Sequence, residues 1–151
     1  MSTRYAEDLA VGDEFTFGSH TVSKEEIVEF AEEFDPLPFH TDEEAAKESM
    51  FGGLVASGWH VVSLTNRMLT ESVFSKVALQ GGHGTDEVRF HEPTRPGDTL
   101  SGSVEIVDIS EPEHRPHHRD VDFAVTTRND DGVVLTMTNL GIVARRETGD
   151  D

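Results

Sequence analysis

Cysteine does not occur in this 151-residue chain, which removes disulfides, a thiol nucleophile and any cysteine-bound zinc from consideration. Lysine is nearly as scarce, appearing only at Lys24, Lys47 and Lys76. Twelve basic residues face 30 acidic ones, for a formal net charge of -18. A surface of that sign repels nucleic acid and anionic lipid, so neither is expected as a partner. Long apolar runs are also missing: nothing approaches the roughly 20 residues needed to span a bilayer. The segment Met1-Ser2-Thr3-Arg4-Tyr5-Ala6-Glu7-Asp8 has no apolar stretch of the kind a signal peptide carries. A soluble cytoplasmic protein is the expectation. Charge of this density also suggests a salt-rich milieu, because screening shortens from about 10 Å at 0.1 M to about 3 Å at 1 M salt.

What is present reads as one domain, with no repeat, linker or low-complexity block over residues 1–151. A turn and short strand are expected over Val11–Phe17. Ser23-Lys24-Glu25-Glu26 has the form of a capping box. The helix it opens places Ile27, Val28, Phe30, Ala31 and Phe34 on one stripe and ends before Pro36, because the residue preceding a proline is pushed out of helical space. A second capping signature, Thr41-Asp42-Glu43-Glu44, predicts a short helix after His40. From Gly58 to Leu69 only Arg67 is charged, and apolar residues point in nearly all directions, which predicts a buried helix. Beyond Gly81-Gly82 the period changes to two. Val88 and Phe90 alternate, as do Leu100, Val104 and Ile106; so do Val121, Phe123 and Val125, then Val133, Leu135 and Met137. Pro96-Gly97-Asp98 and Asn129-Asp130-Asp131-Gly132 are the turns between them. The fold class implied is α+β: an antiparallel sheet wrapped around one long central helix.

Chemistry concentrates in Phe34-Asp35-Pro36-Leu37-Pro38-Phe39-His40-Thr41-Asp42. An acid and a histidine stand five positions apart across a proline-stiffened segment, which holds them in one geometry at low entropic cost. Such a pair can grip a water and move its proton. The plainer alternative is a carboxylate that satisfies helix-end amides and a histidine that caps the next helix. Phe51-Gly52-Gly53-Leu54-Val55-Ala56-Ser57-Gly58 then delivers a glycine-rich turn into the inner helix. The first N–H groups of a helix lack intrahelical partners and carry partial positive charge, so Gly58 is a candidate oxyanion donor, or simply a residue of a tight turn.

On these residues the run from Val22 to Leu69 resembles the signature region of MaoC-like dehydratases, the family that includes the (R)-specific enoyl-CoA hydratases. Its motif is an Asp, four intervening residues and a His, then a helix-entry glycine; Asp35, His40 and Gly58 stand at the matching positions. The likeness continues through Glu87-Val88-Arg89-Phe90 and Pro93–Leu100. Two departures are visible. Leu37-Pro38-Phe39 replaces a family Asn-Pro segment, and Ser57 stands where a His often precedes the glycine.

The resemblance implies a hot-dog fold and the addition of water to a trans-2-enoyl thioester, giving an (R)-3-hydroxyacyl product. Asp35 and His40 would be catalytic, with Gly58 the oxyanion donor and Asn66 and Ser57 possible site-lining residues. It implies no metal or redox cofactor, with coenzyme A entering only as part of the substrate. A homodimer with sites near its interface is expected, to cover the sheet edge and the open side of the inner helix. Two rivals share the fold: an acyl-CoA thioesterase and a non-catalytic acyl-thioester-binding subunit. Lys47, Arg67, Arg89 and Arg95 are candidates for holding coenzyme A phosphates. The histidines of Glu111-Pro112-Glu113-His114-Arg115-Pro116-His117-His118 are expected in a solvated loop, not a metal site. His60 and His83 are expected as packing or near-site residues.

Overall fold

A computed structural model describes residues 3–146. After a 3-10 turn (Ala6–Asp8) the chain forms strand β1 (Glu14–Thr21), followed by helices α1 (Lys24–Phe34), α2 (Pro38–Thr41), α3 (Glu43–Lys47) and α4 (Gly58–Ser72). Strands β2 (Leu79–Phe90), β3 (Thr99–Ser110), β4 (His118–Asn129) and β5 (Gly132–Ala144) complete it. The strands form one sheet in the order β1-β3-β4-β5-β2, with every neighbouring pair antiparallel. The sheet wraps around α4, the α+β arrangement expected. No helix among the described residues is long and apolar enough to cross a membrane.

The core lies between α4 and the concave face of the sheet. Alternating strand residues Leu100, Val104 and Ile106 on β3, with Val121, Phe123 and Val125 on β4, are all buried. They meet Val61, Leu64, Met68 and Leu69 on α4. Phe74 packs edge-on against Phe123 at 5.1 Å between ring centres. Thr65 and Thr127 are buried too, and each satisfies the other's hydroxyl at 2.8 Å, so this polar contact ties helix to sheet at little desolvation cost.

Several local expectations hold. Ser23 Oγ accepts from the Glu26 N–H at 3.1 Å while Glu26 Oε1 accepts from the Ser23 N–H at 2.7 Å, and α1 ends at Phe34, just ahead of Pro36. Others are corrected. The inner helix is not buried all round: Trp59 is 61% exposed, and Ser63, Asn66 and Arg67 also face outward, because the sheet covers only one side of it within a single chain. Phe34, placed on the apolar stripe of α1, is exposed, whereas Ile27 and Ala31 are buried. The cap of α3 is Asp42, not Thr41; its Oδ1 accepts from Glu44 N–H at 2.9 Å. His40 itself lies within a helical turn, α2, which Pro38 can start because the first residue of a helix needs no donated N–H.

Candidate active site

Asp35 sits where α1 must stop. Its N–H still bonds Ala31 O at 2.8 Å, but its backbone has left helical space (φ -158°, ψ 68°), which swings the carboxylate away from the α1 axis. His40 follows on the single turn of α2 and is buried. Its Nδ1 lies 2.7 Å from the carbonyl oxygen of Val55. A carbonyl only accepts, so Nδ1 carries the hydrogen, and in the neutral ring Nε2 presents a lone pair. That Nε2 stands 3.5 Å from Asp35 Oδ2. Two acceptors at this separation do not bond each other. A single water that donates one hydrogen to each would satisfy both.

Ser57 controls the carboxylate from the other side. Fully buried, it donates from Oγ to Asp35 Oδ2 at 2.7 Å and accepts the Trp59 N–H at 3.2 Å as the N-cap of α4. The N–H groups of His60 and Val61 both reach Ser57 O, at 3.0 and 3.2 Å. Among the described residues this leaves the Gly58 N–H as the donor without a partner at the positive end of the longest helix. Four of the residues expected at the site therefore meet: Asp35, His40, Ser57 and Gly58 are joined by direct contacts or by adjacency in the chain.

His40 and Gly58 line a cleft of about 450 Å³ whose walls are largely apolar, with Phe39, Phe51, Val61 and Phe90 among them. Gly58 also has a close neighbour there that the sequence did not show. A methyl group placed on it would fall 2.5 Å from Cζ of Phe90, so the last residue of β2 packs directly on the helix entry. The mouth of the cleft is unusually apolar for a surface, with Met50 92%, Trp59 61% and Phe90 51% exposed.

Asn66 is not part of this arrangement. It lies roughly 12 Å further along α4, at 1.5 Å per residue, exposed beside a separate depression with Phe74, Leu79, Gly82 and Asn139. Eight residues amount to slightly more than two turns, enough rise to carry a side chain away from the helix entry. Nor do the four basic candidates converge on the cleft. Lys47 pairs with Glu44 at 3.2 Å and Arg67 with Glu71 at 3.7 Å. Arg89 bonds the Val88 carbonyl, and Arg95 Nη2 braces the Phe51 carbonyl at 2.7 Å.

The histidine-rich loop is pinned, not merely solvated. Arg115 donates to His114 Nε2 at 2.7 Å, to His83 Nε2 at 3.0 Å and to Asp120 Oδ1 at 2.7 Å, tying the β3–β4 connection to the edge strand. Among the described residues no group of three or more His, Asp or Glu is arranged to hold a metal ion. His60 is a packing residue. It is buried and stacked on Phe30 at 4.7 Å with rings nearly parallel, and burial lowers its pKa, opposed by the nearby Glu26 carboxylate.

Contacts that sequence reasoning missed are all long-range: the Val55 carbonyl that sets the His40 tautomer, the Ser57 bond to Asp35, and the placement of Phe90 and Thr94 in the cleft wall. Only Ser57 carried a local signal, as a cap residue directly before the helix-entry glycine.

Comparison with known proteins agrees with this geometry. A family model described as MaoC like domain matches residues 8–129. YdeM of Bacillus subtilis (strain 168) is 33% identical over 102 residues, which span 68% of this chain and 72% of that protein. The crystal structure of a MaoC-like dehydratase from Rhodospirillum rubrum is similar at a TM-score of 0.89 and 44% identity, covering 95% of this chain and 99% of that one. The unliganded R-hydratase PhaJ1 from Pseudomonas aeruginosa has a TM-score of 0.70 at 21% identity, over 96% of this chain and 88% of that one, a likeness of fold alone.

Proposed function

Because this chain belongs to the MaoC-like dehydratase family, we propose that it adds water reversibly to a trans-2-enoyl thioester, giving an (R)-3-hydroxyacyl thioester. The observation that carries the proposal is the facing of two acceptors, Asp35 Oδ2 and His40 Nε2, 3.5 Å apart. With Nδ1 committed to Val55 O, the imidazole offers a base at Nε2. A water held between it and the carboxylate has its lone pairs directed outward, toward C3 of an enoyl group in the cleft. As the O–C3 bond forms, one water proton passes to the Asp35–His40 pair and the π electrons move through C2 toward the thioester oxygen. The Gly58 N–H, at the positive end of α4, meets that developing oxyanion; one such donor contributes about 2.7 to 4 kcal/mol. Return of a proton to C2 completes the addition, and the reverse sequence is dehydration. Groups on this chain supply every step.

Coenzyme A is the carrier expected, and its phosphates must approach a protein of net charge -18. Affinity that rises with added salt supports screening as the means. A second copy of the chain would cover the exposed Trp59, Phe90 and Met50 around the cleft mouth, together with edge strand β2, so a homodimer with sites near the interface belongs to the proposal.

The test is a paired assay with trans-2-enoyl-CoA. Loss of enoyl absorbance without release of free thiol is the expected result. Thiol release from saturated acyl-CoA would favour the thioesterase, and neither reaction over a range of chain lengths would favour a binding subunit.

A further inference from the structure

Within the cleft, one polar side chain is left without work by the proposed reaction. Thr94 lines the cleft beside His40 and Gly58. It is 2% exposed, and its Oγ1 is buried with no hydrogen-bond partner among the described residues. The residue is held in place by its backbone: Thr94 O accepts the Ala56 N–H at 2.8 Å. Ala56 adjoins Val55, which holds His40, and Ser57, which holds Asp35. Thr94 is thus rigidly connected to the same short segment that positions the acid and the base. An unpaired buried hydroxyl carries a desolvation cost, and a valine of nearly the same shape would avoid that cost. A pocket that carries such a group discriminates in favour of ligands able to bond it.

The other polar contributors are already engaged or carry charge. His91 Nε2 lies 2.7 Å from the Thr136 hydroxyl, and the thioester oxygen falls to Gly58. Glu92, an exposed carboxylate on the same cleft, disfavours an anionic substituent nearby. The Arg95 guanidinium, which would offset it, is turned to the Phe51 carbonyl. We propose that Thr94 is a substrate-positioning residue whose hydroxyl bonds a neutral polar group on the acyl chain. The preferred substrates are then enoyl thioesters bearing a hydroxyl or keto group beyond C3, not plain alkyl chains. This rests on the hydratase reading of the site.

The experiment compares trans-2-hexenoyl-CoA with its analogues hydroxylated at C4, C5 or C6, using the wild-type protein, Thr94→Val and Thr94→Ser. For at least one analogue, wild-type kcat/KM should exceed that for the alkyl substrate by about tenfold, the worth of one hydrogen bond of about 1.4 kcal/mol. Thr94→Val should erase that preference by slowing only the hydroxylated substrate, and Thr94→Ser should keep it. Equal losses on both substrates in Thr94→Val, or no wild-type preference for any analogue, would overturn the assignment. If the wild-type protein hydrates none of them, the hydratase reading falls separately. Thr94 is then judged by the Kd values of hexanoyl-CoA and its hydroxylated analogues: a preference lost in Thr94→Val supports its role, and equal affinities refute it.

Discussion

Ser57 donates its hydroxyl hydrogen to Asp35 Oδ2 at 2.7 Å and at the same time accepts the Trp59 N–H at 3.2 Å. The residue that starts the inner helix therefore also orients the acid that faces His40. Replacing it by alanine removes a bond to a carboxylate, worth about 1.5 to 3 kcal/mol, and a helix cap, worth about 1 kcal/mol. Ser57→Ala should lower kcat about tenfold or more while KM changes little, with a melting temperature about 5 to 15 °C lower. Unchanged kcat would mean that Asp35 needs no such support.

Asp35→Asn and His40→Ala should each cut hydration by about 10² to 10⁴, the usual contribution of a positioned acid–base group. The amide of the first variant lacks the negative charge that draws a proton from the water, and the methyl group of the second offers neither donor nor acceptor. Circular dichroism should show a native fold in both. Near-normal turnover in either folded variant would end the proposed mechanism.

Gly58 and Phe90 form a pair in which one side chain must be missing. A Cβ on residue 58 would lie 2.5 Å from the Phe90 ring, so Gly58→Ala alone should displace the ring, destabilise the helix entry and lose activity. Adding Phe90→Ala should recover much of the lost stability, because the three nearest atoms to that Cβ all belong to the Phe90 ring. Thermal melts of the two single variants and the double variant measure the coupling.

His60 gives the stability a defined pH dependence. Burial lowers its pKa from the ordinary value near 6.5, so the folded chain prefers the neutral ring more than the unfolded chain does. Its contribution is complete above about pH 6.5 and is lost as the pH falls through that value toward the lower folded one, where the unfolded state takes up the proton more readily. His60→Phe, which keeps a ring against Phe30, should flatten the decline in melting temperature between pH 8 and pH 5.5. An identical decline in the variant would assign the effect to other groups.

Asp122 on β4 faces the opposite problem. Its carboxyl is pushed above the usual range, first by burial and then by Asp108, Asp120 and Asp86; Asp108 is its cross-strand partner. A raised carboxyl pKa means that stability is lost as pH rises past the unfolded value, so at neutral pH the charged group is a liability. Asp122→Asn should raise the melting temperature by about 2 to 4 °C in dilute buffer. The gain should shrink in molar salt, where screening already relieves the repulsion. A gain independent of salt would point away from electrostatics.

Much of this was legible along the chain. Cap boxes, proline stops and period-two alternation act between residues a few positions apart, and they marked α1, the end of that helix at Asp35, and the four long strands. The spacing of Asp35, His40 and Gly58 singled out the segments that meet at the cleft. Asn66 failed for an equally physical reason: position on a helix sets rise and rotation, and here the rise leads away from the helix entry toward another depression.

Local chain chemistry alone thus determined which elements form, where they end and which residue types they offer. Tertiary packing decided which of those residues touch: the hydrogen on Nδ1 through Val55, Ser57 on Asp35 from 22 positions away, the Phe90 ring on Gly58, and Thr94 buried without a partner. The division is physical. A backbone preference is settled by near neighbours, whereas a contact between residues far apart in the chain exists only once the sheet has closed around its helix and fixed the rotation of each face.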